Sequence, residues 1–218
     1  MPTGSLTAVF IFAFAVGFGA VITPGPVSTA IVSQSTRNGW KVGPLVSTGH
    51  SFIELLLTLL IALGLSTVLA QPAIQTLIGL VGGALLLWMG GGMLWGALRG
   101  KIHLPGAHCQ TPPMTRRQML GLGVITTITN PFWYAWWVTV AAGYLAQART
   151  LGPGAVAAFY LGHISADYSW NTALSTVIGS GRRWITDTVY RVIIGVCGLF
   201  LIYLGVVFLA RGLGLLNA

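Results

Sequence analysis

The sequence predicts an all-α polytopic membrane protein with six transmembrane helices. Three observations support this prediction: only 6% of the 218 residues are charged, 55% are hydrophobic, and the mean hydropathy is +0.82. A soluble domain carries about 25% charged residues, and a chain of this size cannot bury so much apolar surface in a water-soluble globule. The composition therefore excludes a soluble globule and a disordered chain.

Long runs without charged residues predict where the helices lie, because a helix needs about 20 apolar residues to cross the hydrocarbon core. The run 55–98 is too long for one span and is expected to fold back at Gln71-Pro72. Residues 1–218 are predicted to form one transmembrane domain. Its predicted helices cover residues 6–33, 43–70, 73–98, 118–147, 153–178 and 189–211.

The distribution of lysine and arginine predicts the orientation. The first, third and fifth connections carry nine cations, whereas the opposite side carries only Arg149 and Arg211. The positive-inside rule then places these three connections, including the loop 99–117, in the cytoplasm and both termini outside. Because the cations are scattered between apolar blocks, no nucleic-acid partner is expected. The nine cations are Arg37, Lys41, Arg99, Lys101, Arg116, Arg117, Arg182, Arg183 and Arg191.

An internal repeat relates the two halves of the chain. The pattern Gly-His-x-x-x-acid occurs at 49–54 and again at 162–167, and a pair of glycines seven residues apart occurs at 83–90 and again at 198–205. A proline motif also stands in the first and fourth predicted helices. Features that recur in the same order indicate a duplicated three-helix unit.

A unit with three spans must insert its second copy upside down. The sequence therefore predicts two inverted repeats, 1–98 and 118–211, which flank the cytoplasmic loop 99–117. Inverted-topology repeats are common among secondary transporters, which place their substrate site near the bilayer midplane between the repeats.

Two of the three acidic residues, Glu54 and Asp167, lie in predicted spans. A carboxyl group at the bilayer centre costs a few kcal/mol, and such residues are usually functional. His50 and His163 each stand four residues before one of these acids. Residues at i and i+4 share a helix face, so each histidine is expected to point the same way as its acid.

Three interpretations of the two His–acid pairs remain open at this stage. The pairs can relay protons and bind a cationic substrate group. His50, Glu54, His163 and Asp167 can instead form a two-histidine, two-carboxylate site for a divalent metal ion. They can also be structural hydrogen-bond partners in a membrane scaffold that transports nothing.

Two proline motifs predict interruptions of the first and fourth helices at the same depth as the acids. Proline lacks an N–H and breaks the helical hydrogen-bond ladder. A broken helix exposes a positive N-terminal end that suits a carboxylate, so a zwitterion would place its carboxylate there and its ammonium group at Glu54 or Asp167. The predicted helix-break site consists of Thr23, Pro24, Gly25, Pro26, Asn130 and Pro131.

Several of these motifs resemble those of the LysE/RhtB-type translocators of the lysine exporter superfamily. The resemblance covers nearly the whole chain. Its most specific part is Gly19-x-x-x-Thr23-Pro24-Gly25-Pro26, and it extends to the basic turn 37–43, to Gly49 with Glu54 five residues later, and to Asn130-Pro131. The resemblance implies gradient-driven efflux of amino acids or related metabolites across the plasma (inner) membrane of a bacterium or archaeon.

The motifs and the resemblance together predict a multi-pass proton antiporter for a small amino-acid-like metabolite, with no enzymatic activity, no cofactor and no resident metal. The lipid bilayer is an expected partner, and Gly79-x-x-x-Gly83 permits either an internal helix contact or a homodimer. Because related families export divalent metals, a metal exporter is the alternative function, and a membrane scaffold is the alternative from another class.

Overall fold

The computed structural model of the chain describes residues 5–23, 25–65, 68, 71–103, 113–180 and 186–215. These residues form helices joined by turns, and no strand occurs among them. A 3-10 turn at Gly39–Lys41 joins α2 to α3, and π-helical turns follow α3 at Ile61–Leu65 and α6 at Trp137–Ala141. The helices are α1 (Leu6–Val21), α2 (Pro26–Asn38), α3 (Val42–Leu60), α4 (Pro72–Leu98), α5 (Arg116–Ile128), α6 (Pro131–Trp136), α7 (Ala142–Thr150), α8 (Pro153–Ser180) and α9 (Asp187–Gly212).

Three stretches of the described helices are long and apolar enough to cross a membrane: Pro26–Leu65, Pro72–Leu98 and Asp187–Gly212. The 3-10 turn divides the first of them. Large apolar side chains cover much of the outside, with Leu63 exposed to 83% and Trp88 to 77%. Apolar helices with apolar outer faces confirm the membrane class, whereas the number of spans and their orientation stay predictions.

The first predicted helix, 6–33, is two helices in the structure. Helix α1 ends at Val21, and α2 begins at Pro26 after Gly25, which has an extended backbone. Proline suits the first position of a helix, because the N–H that it lacks would have no partner inside the helix. Pro24 lies outside the described residues. The interruption therefore falls within the predicted proline motif.

The fourth predicted helix, 118–147, is interrupted in the same way. Helix α5 ends at Ile128 and α6 begins at Pro131. The side chain of Asn130 caps α6, because its Oδ1 accepts the N–H of Phe132 at 3.1 Å. Each half of the chain thus contains a helix interrupted next to a proline, but only the second interruption has a side-chain cap.

Helices α4 and α9 pack against each other through glycines and run antiparallel. A Cβ on Gly83 would lie 2.9 Å from the carbonyl oxygen of Gly205, and one on Gly90 would lie 2.6 Å from that of Gly198. Gly79 contacts Gly212 in the same interface. The Gly79-x-x-x-Gly83 motif therefore serves an internal helix contact.

Helix α8 lies between α1 and α3, and α3 also packs against α5. Glycines bring the backbones together at both outer contacts: Gly162 of α8 meets the backbone of Phe10, and Gly49 of α3 meets the backbone of Leu120. These are the glycines of the repeated Gly-His-x-x-x-acid pattern. Close packing at both glycines holds the following histidines and acids in the interior.

The α4–α9 contact generates a stability prediction with a matched control. Replacing Gly90 by valine should lower the melting temperature, because its Cβ would overlap the backbone of α9 and overpacking typically costs about 1–3 kcal/mol. Gly91→Val changes the same residue type one position later, where no other atom lies within 4 Å of a Cβ. Thermal unfolding of the detergent-solubilised proteins measures the melting temperatures of Gly90→Val and Gly91→Val. Equal melting temperatures would contradict the packing described.

Candidate functional site

Four ionisable side chains meet at the crossing of α3 and α8. His50 and Glu54 come from α3, and His163 and Asp167 come from α8. Their exposed fractions are 6%, 1%, 3% and 4%, so all four are buried. We call these four side chains the His–acid cluster. The structure therefore places the repeated pairs against each other across one helix interface.

Each imidazole of the His–acid cluster faces both carboxyl groups. The Nε2 atom of His50 lies 3.2 Å from Oε1 of Glu54 and 3.8 Å from Oδ1 of Asp167. The Nε2 atom of His163 lies 3.2 Å from Oε2 of Glu54 and 3.5 Å from Oδ2 of Asp167. With both imidazoles protonated and both carboxyls ionised, the cluster carries no net charge.

The hydrogen bonds of Thr127 determine where His50 carries a proton. The Thr127 hydroxyl donates to the carbonyl oxygen of Gly123 at 2.6 Å, so its oxygen accepts from Nδ1–H of His50 at 2.7 Å. A neutral His50 would then turn the lone pair of Nε2 toward Glu54. An ionised carboxylate cannot face a lone pair without repulsion, so a proton lies between Nε2 and the carboxyl groups.

Glu54 is held by two indole groups. Trp133 and Trp137 donate their Nε1–H groups to Oε1 of Glu54 at 2.9 and 3.0 Å. Both tryptophans are buried, at the start of α6 and in the π turn that follows it. Donors aimed at one carboxylate oxygen stabilise its negative charge, so this arrangement favours an ionised Glu54.

Asp167 shares one feature with Glu54, whose Oε2 also has no hydrogen-bond partner in the described residues, but no indole donates to it there. Its Oδ2 atom is buried and has no hydrogen-bond partner in the described part of the chain. Asn171 lies one turn further along α8, where its Nδ2 donates to Ser47 at 2.9 Å while its Oδ1 has no such partner either. One face of α8 thus presents two buried oxygens with unused acceptor capacity.

A cavity of about 60 Å³ joins the His–acid cluster to both helix interruptions. It is large enough to hold several water molecules. A Cβ on Gly25 would lie 3.5 Å from Nδ2 of Asn130, so the two interruptions touch. Besides the cluster, the residues around the cavity include Thr23, Gly25, Val27, Ser28, Asn130 and Asn171.

The structure therefore brings most of the predicted site residues together around one cavity. The two exceptions among the described residues are Pro26 and Pro131, which begin α2 and α6 and do not line this cavity. Sequence reasoning missed Thr127, Asn171 and the indole pair Trp133 and Trp137. A spacing of four residues from Asp167 to Asn171 was the available signal for Asn171.

Two apolar grooves approach this cavity from different sides. The α2 groove, of about 730 Å³, lies between α2, α4 and α9 and reaches the cavity at Gly25. The α6 groove, of about 660 Å³, lies between α3, α4 and α6 and reaches it at Trp133. The α2 groove includes Thr29, Ser33, Trp88, Met93 and Tyr190. The α6 groove includes Leu56, Leu60, Leu77, Leu85 and Tyr134.

The donor set also bears on the metal interpretation. Single ligand atoms of His50, Glu54 and Asp167 lie within 4.8 Å of one another, as a divalent cation requires. The indole N–H groups of Trp133 and Trp137, however, turn the positive ends of their dipoles toward Glu54. These donors compete with a metal ion for Oε1 of Glu54, whereas Oε2 has no hydrogen-bond partner in the described residues.

The Thr127 bridge generates a second stability prediction. Thr127→Val keeps the side-chain shape but leaves Nδ1–H of His50 without its acceptor, and an unsatisfied buried donor costs about 1–3 kcal/mol. Thr126→Val is the matched control, because the Thr126 hydroxyl bonds only backbone carbonyls of its own helix. We expect a lower melting temperature for Thr127→Val than for Thr126→Val. The reverse order would contradict the assigned His50 tautomer.

Comparisons with known proteins identify the family to which the chain is similar. The family model described as LysE type translocator matches residues 18–212. An uncharacterized membrane protein of Pseudomonas aeruginosa is 28% identical over 60% of this chain and 61% of its own length. A leucine efflux protein of Enterobacter sp. strain 638 is 29% identical over 52% of this chain and 53% of its own length.

The chain spans just over half of the length of the curated relatives that it matches. No solved structure matches it at a significant level. The family match covers most of the chain and includes both helix interruptions and all four residues of the His–acid cluster. The chain therefore belongs to the LysE type translocator family of membrane transport proteins.

Proposed function

We propose that this protein is a secondary active exporter of small amino-acid-like metabolites that works by proton antiport through the His–acid cluster. The observation that supports this proposal most is the cavity in which four buried ionisable side chains meet two helix interruptions. The similarity to a protein named leucine efflux protein also supports an efflux function.

Proton antiport is supported by the charge balance of the cluster. Two carboxyl groups and two imidazoles compensate one another within 3.8 Å, and the lining of the cavity contains no lysine or arginine among the described residues. A substrate ammonium group that enters the cluster adds a positive charge beside the two imidazoles in a desolvated interior, which is costly. Release of one proton for each cationic group that binds restores the balance, and this exchange is what an antiporter requires.

We also propose six spans in two inverted repeats, 1–98 and 118–211, in the plasma membrane of a bacterium or archaeon with both termini outside. The glycine contacts support this arrangement, because a two-fold rotation that exchanges the repeats would exchange the pair Gly83–Gly205 with the pair Gly198–Gly90. The α2 groove includes Ile102 and Tyr190, which lie near the cation-rich third and fifth connections, whereas the α6 groove includes Leu60 and Leu77 near the opposite ends of α3 and α4.

The export of a divalent cation is the second candidate function. It is favoured by the grouping of His50, Glu54 and Asp167 within the distances that a metal ion bridges. A membrane scaffold does not require buried acids with unpartnered oxygens beside a cavity, and nothing in the geometry favours that alternative.

A ligand-binding screen of the purified protein in detergent distinguishes these functions. Ligands that bind the native state raise the melting temperature by mass action. We expect leucine or another amino acid to stabilise the wild-type protein at millimolar concentration, and Zn²⁺ or Mn²⁺ alone to stabilise it much less. The reverse result would favour the metal exporter, and it would then have to disappear in His50→Gln and His163→Gln.

A further inference from the structure

We propose that the substrate is an α-amino acid bound between two poles that the structure distinguishes. Asp167 and Asn171 bind its ammonium group, and the N-terminus of α2 binds its carboxylate. Glu54 is a positioning residue that holds Trp133 and Trp137 and does not contact the substrate. This inference rests on the proposed function and assigns the subsites within it.

The two buried acids differ in what surrounds them, although each keeps one oxygen without a hydrogen-bond partner in the described residues, Oε2 of Glu54 and Oδ2 of Asp167. Oε1 of Glu54 accepts both indole N–H groups and lies 3.2 Å from Nε2 of His50. Its Oε2 lies 3.2 Å from Nε2 of His163. A substrate ammonium group at Glu54 would meet the imidazole of His163 at Oε2 and two indoles at Oε1, and the indoles are rigid side chains in a packed core.

Asp167 lines the same cavity, and its Oδ2 is free to accept a hydrogen bond. The nearest imidazole nitrogens lie 3.5 and 3.8 Å from its oxygens, which is long for a charge-assisted hydrogen bond. Its Oδ2 and the Oδ1 of Asn171 are both buried without a partner in the described residues, and both residues line the cavity. Because an ammonium group has three N–H donors, it can satisfy both oxygens at once.

The two helix N-termini at the cavity also differ. The N-terminus of α6 is already occupied, since Asn130 Oδ1 accepts the N–H of Phe132. Gly25 stands at the corresponding position of α2, where no side chain forms a capping bond. The first backbone donors of α2 are those of Val27 and Ser28, which have no acceptor within the helix, and both residues line the cavity.

These poles suit the opposite charges of one zwitterion. Asp167 and Asn171 offer acceptors, and the start of α2 offers donors with the positive end of a helix dipole. The cavity between them holds little more than the polar part of an amino acid. The apolar α2 groove, which reaches the cavity at Gly25, is the adjoining space in which an aliphatic side chain finds room.

The ammonium pole is tested by comparing two ligands in purified protein. Leucine and 4-methylpentanoate differ only in the amino group, so their affinity ratio isolates that group and cancels any loss of folded protein. We expect wild type to prefer leucine by at least about tenfold, or about 1.4 kcal/mol, and Asp167→Asn to lose most of this preference. Asn171→Ala should reduce it by a smaller factor.

Glu54→Gln is the matched control for this comparison, because it also exchanges one buried acid of the cluster for its amide. If Glu54 only positions the indoles, Glu54→Gln should change the affinities for leucine and 4-methylpentanoate by similar factors and keep their ratio. A ratio that collapses in Glu54→Gln and survives in Asp167→Asn would overturn the assignment.

The carboxylate pole is tested at Gly25, whose φ of −154° allows a side chain. Gly25→Ser supplies a hydroxyl oxygen that caps α2 and competes with the substrate carboxylate, whereas Gly25→Ala adds the same Cβ without the oxygen. Relative to Gly25→Ala, we expect Gly25→Ser to weaken leucine binding several-fold and to leave leucinamide, which lacks the carboxylate, unaffected. An equal effect on both ligands would exclude this pole.

The outcomes separate the subsites from the function itself. If wild-type protein binds none of the standard amino acids, the proposed function fails and the subsites fail with it. If it binds leucine but Asp167→Asn keeps the preference over 4-methylpentanoate, amino-acid export stands and only the assignment of the ammonium pole is wrong.

Discussion

Two carboxyl groups buried in one apolar interior have to be compensated by the groups around them, and the rest of this structure depends on that constraint. Charges removed from water are stable only when they are paired and hydrogen-bonded. Here the partners are two imidazoles from the same two helices. Glycines at 49 and 162 allow α3 and α8 to approach their outer neighbours closely, which keeps these groups away from the apolar surface.

The donors around the two carboxyl groups are not equivalent. Oε1 of Glu54 accepts two indole N–H groups, and no indole donates to Asp167 in the described residues, although each acid keeps one oxygen without a partner there. The helix interruptions repeat the same contrast, because Asn130 caps α6 while Gly25 leaves the start of α2 without a side-chain cap. All four of these residues line the same cavity.

The sequence predicted the His–acid cluster because a spacing of four residues fixes a helix face and the pattern occurs twice. It could not predict the indole contacts, since Trp133 belongs to a six-residue helix and Trp137 to the π turn after it. A π turn changes the rotation per residue, so regular helical periodicity does not give the direction of these side chains. The capping difference between Gly25 and Asn130 was visible in the sequence, but its meaning required knowing that both residues border the same cavity.

Transport by purified protein in proteoliposomes tests the central claim most directly. A pH gradient is imposed across the vesicle membrane, and accumulation of labelled leucine against its own gradient is measured for wild type and for the double variant Glu54→Gln/Asp167→Asn. Amides keep the shape of the acids but cannot exchange a proton. The account predicts gradient-driven accumulation in wild type and its loss in the folded double variant. Accumulation at the wild-type rate in the double variant would contradict proton exchange through the His–acid cluster.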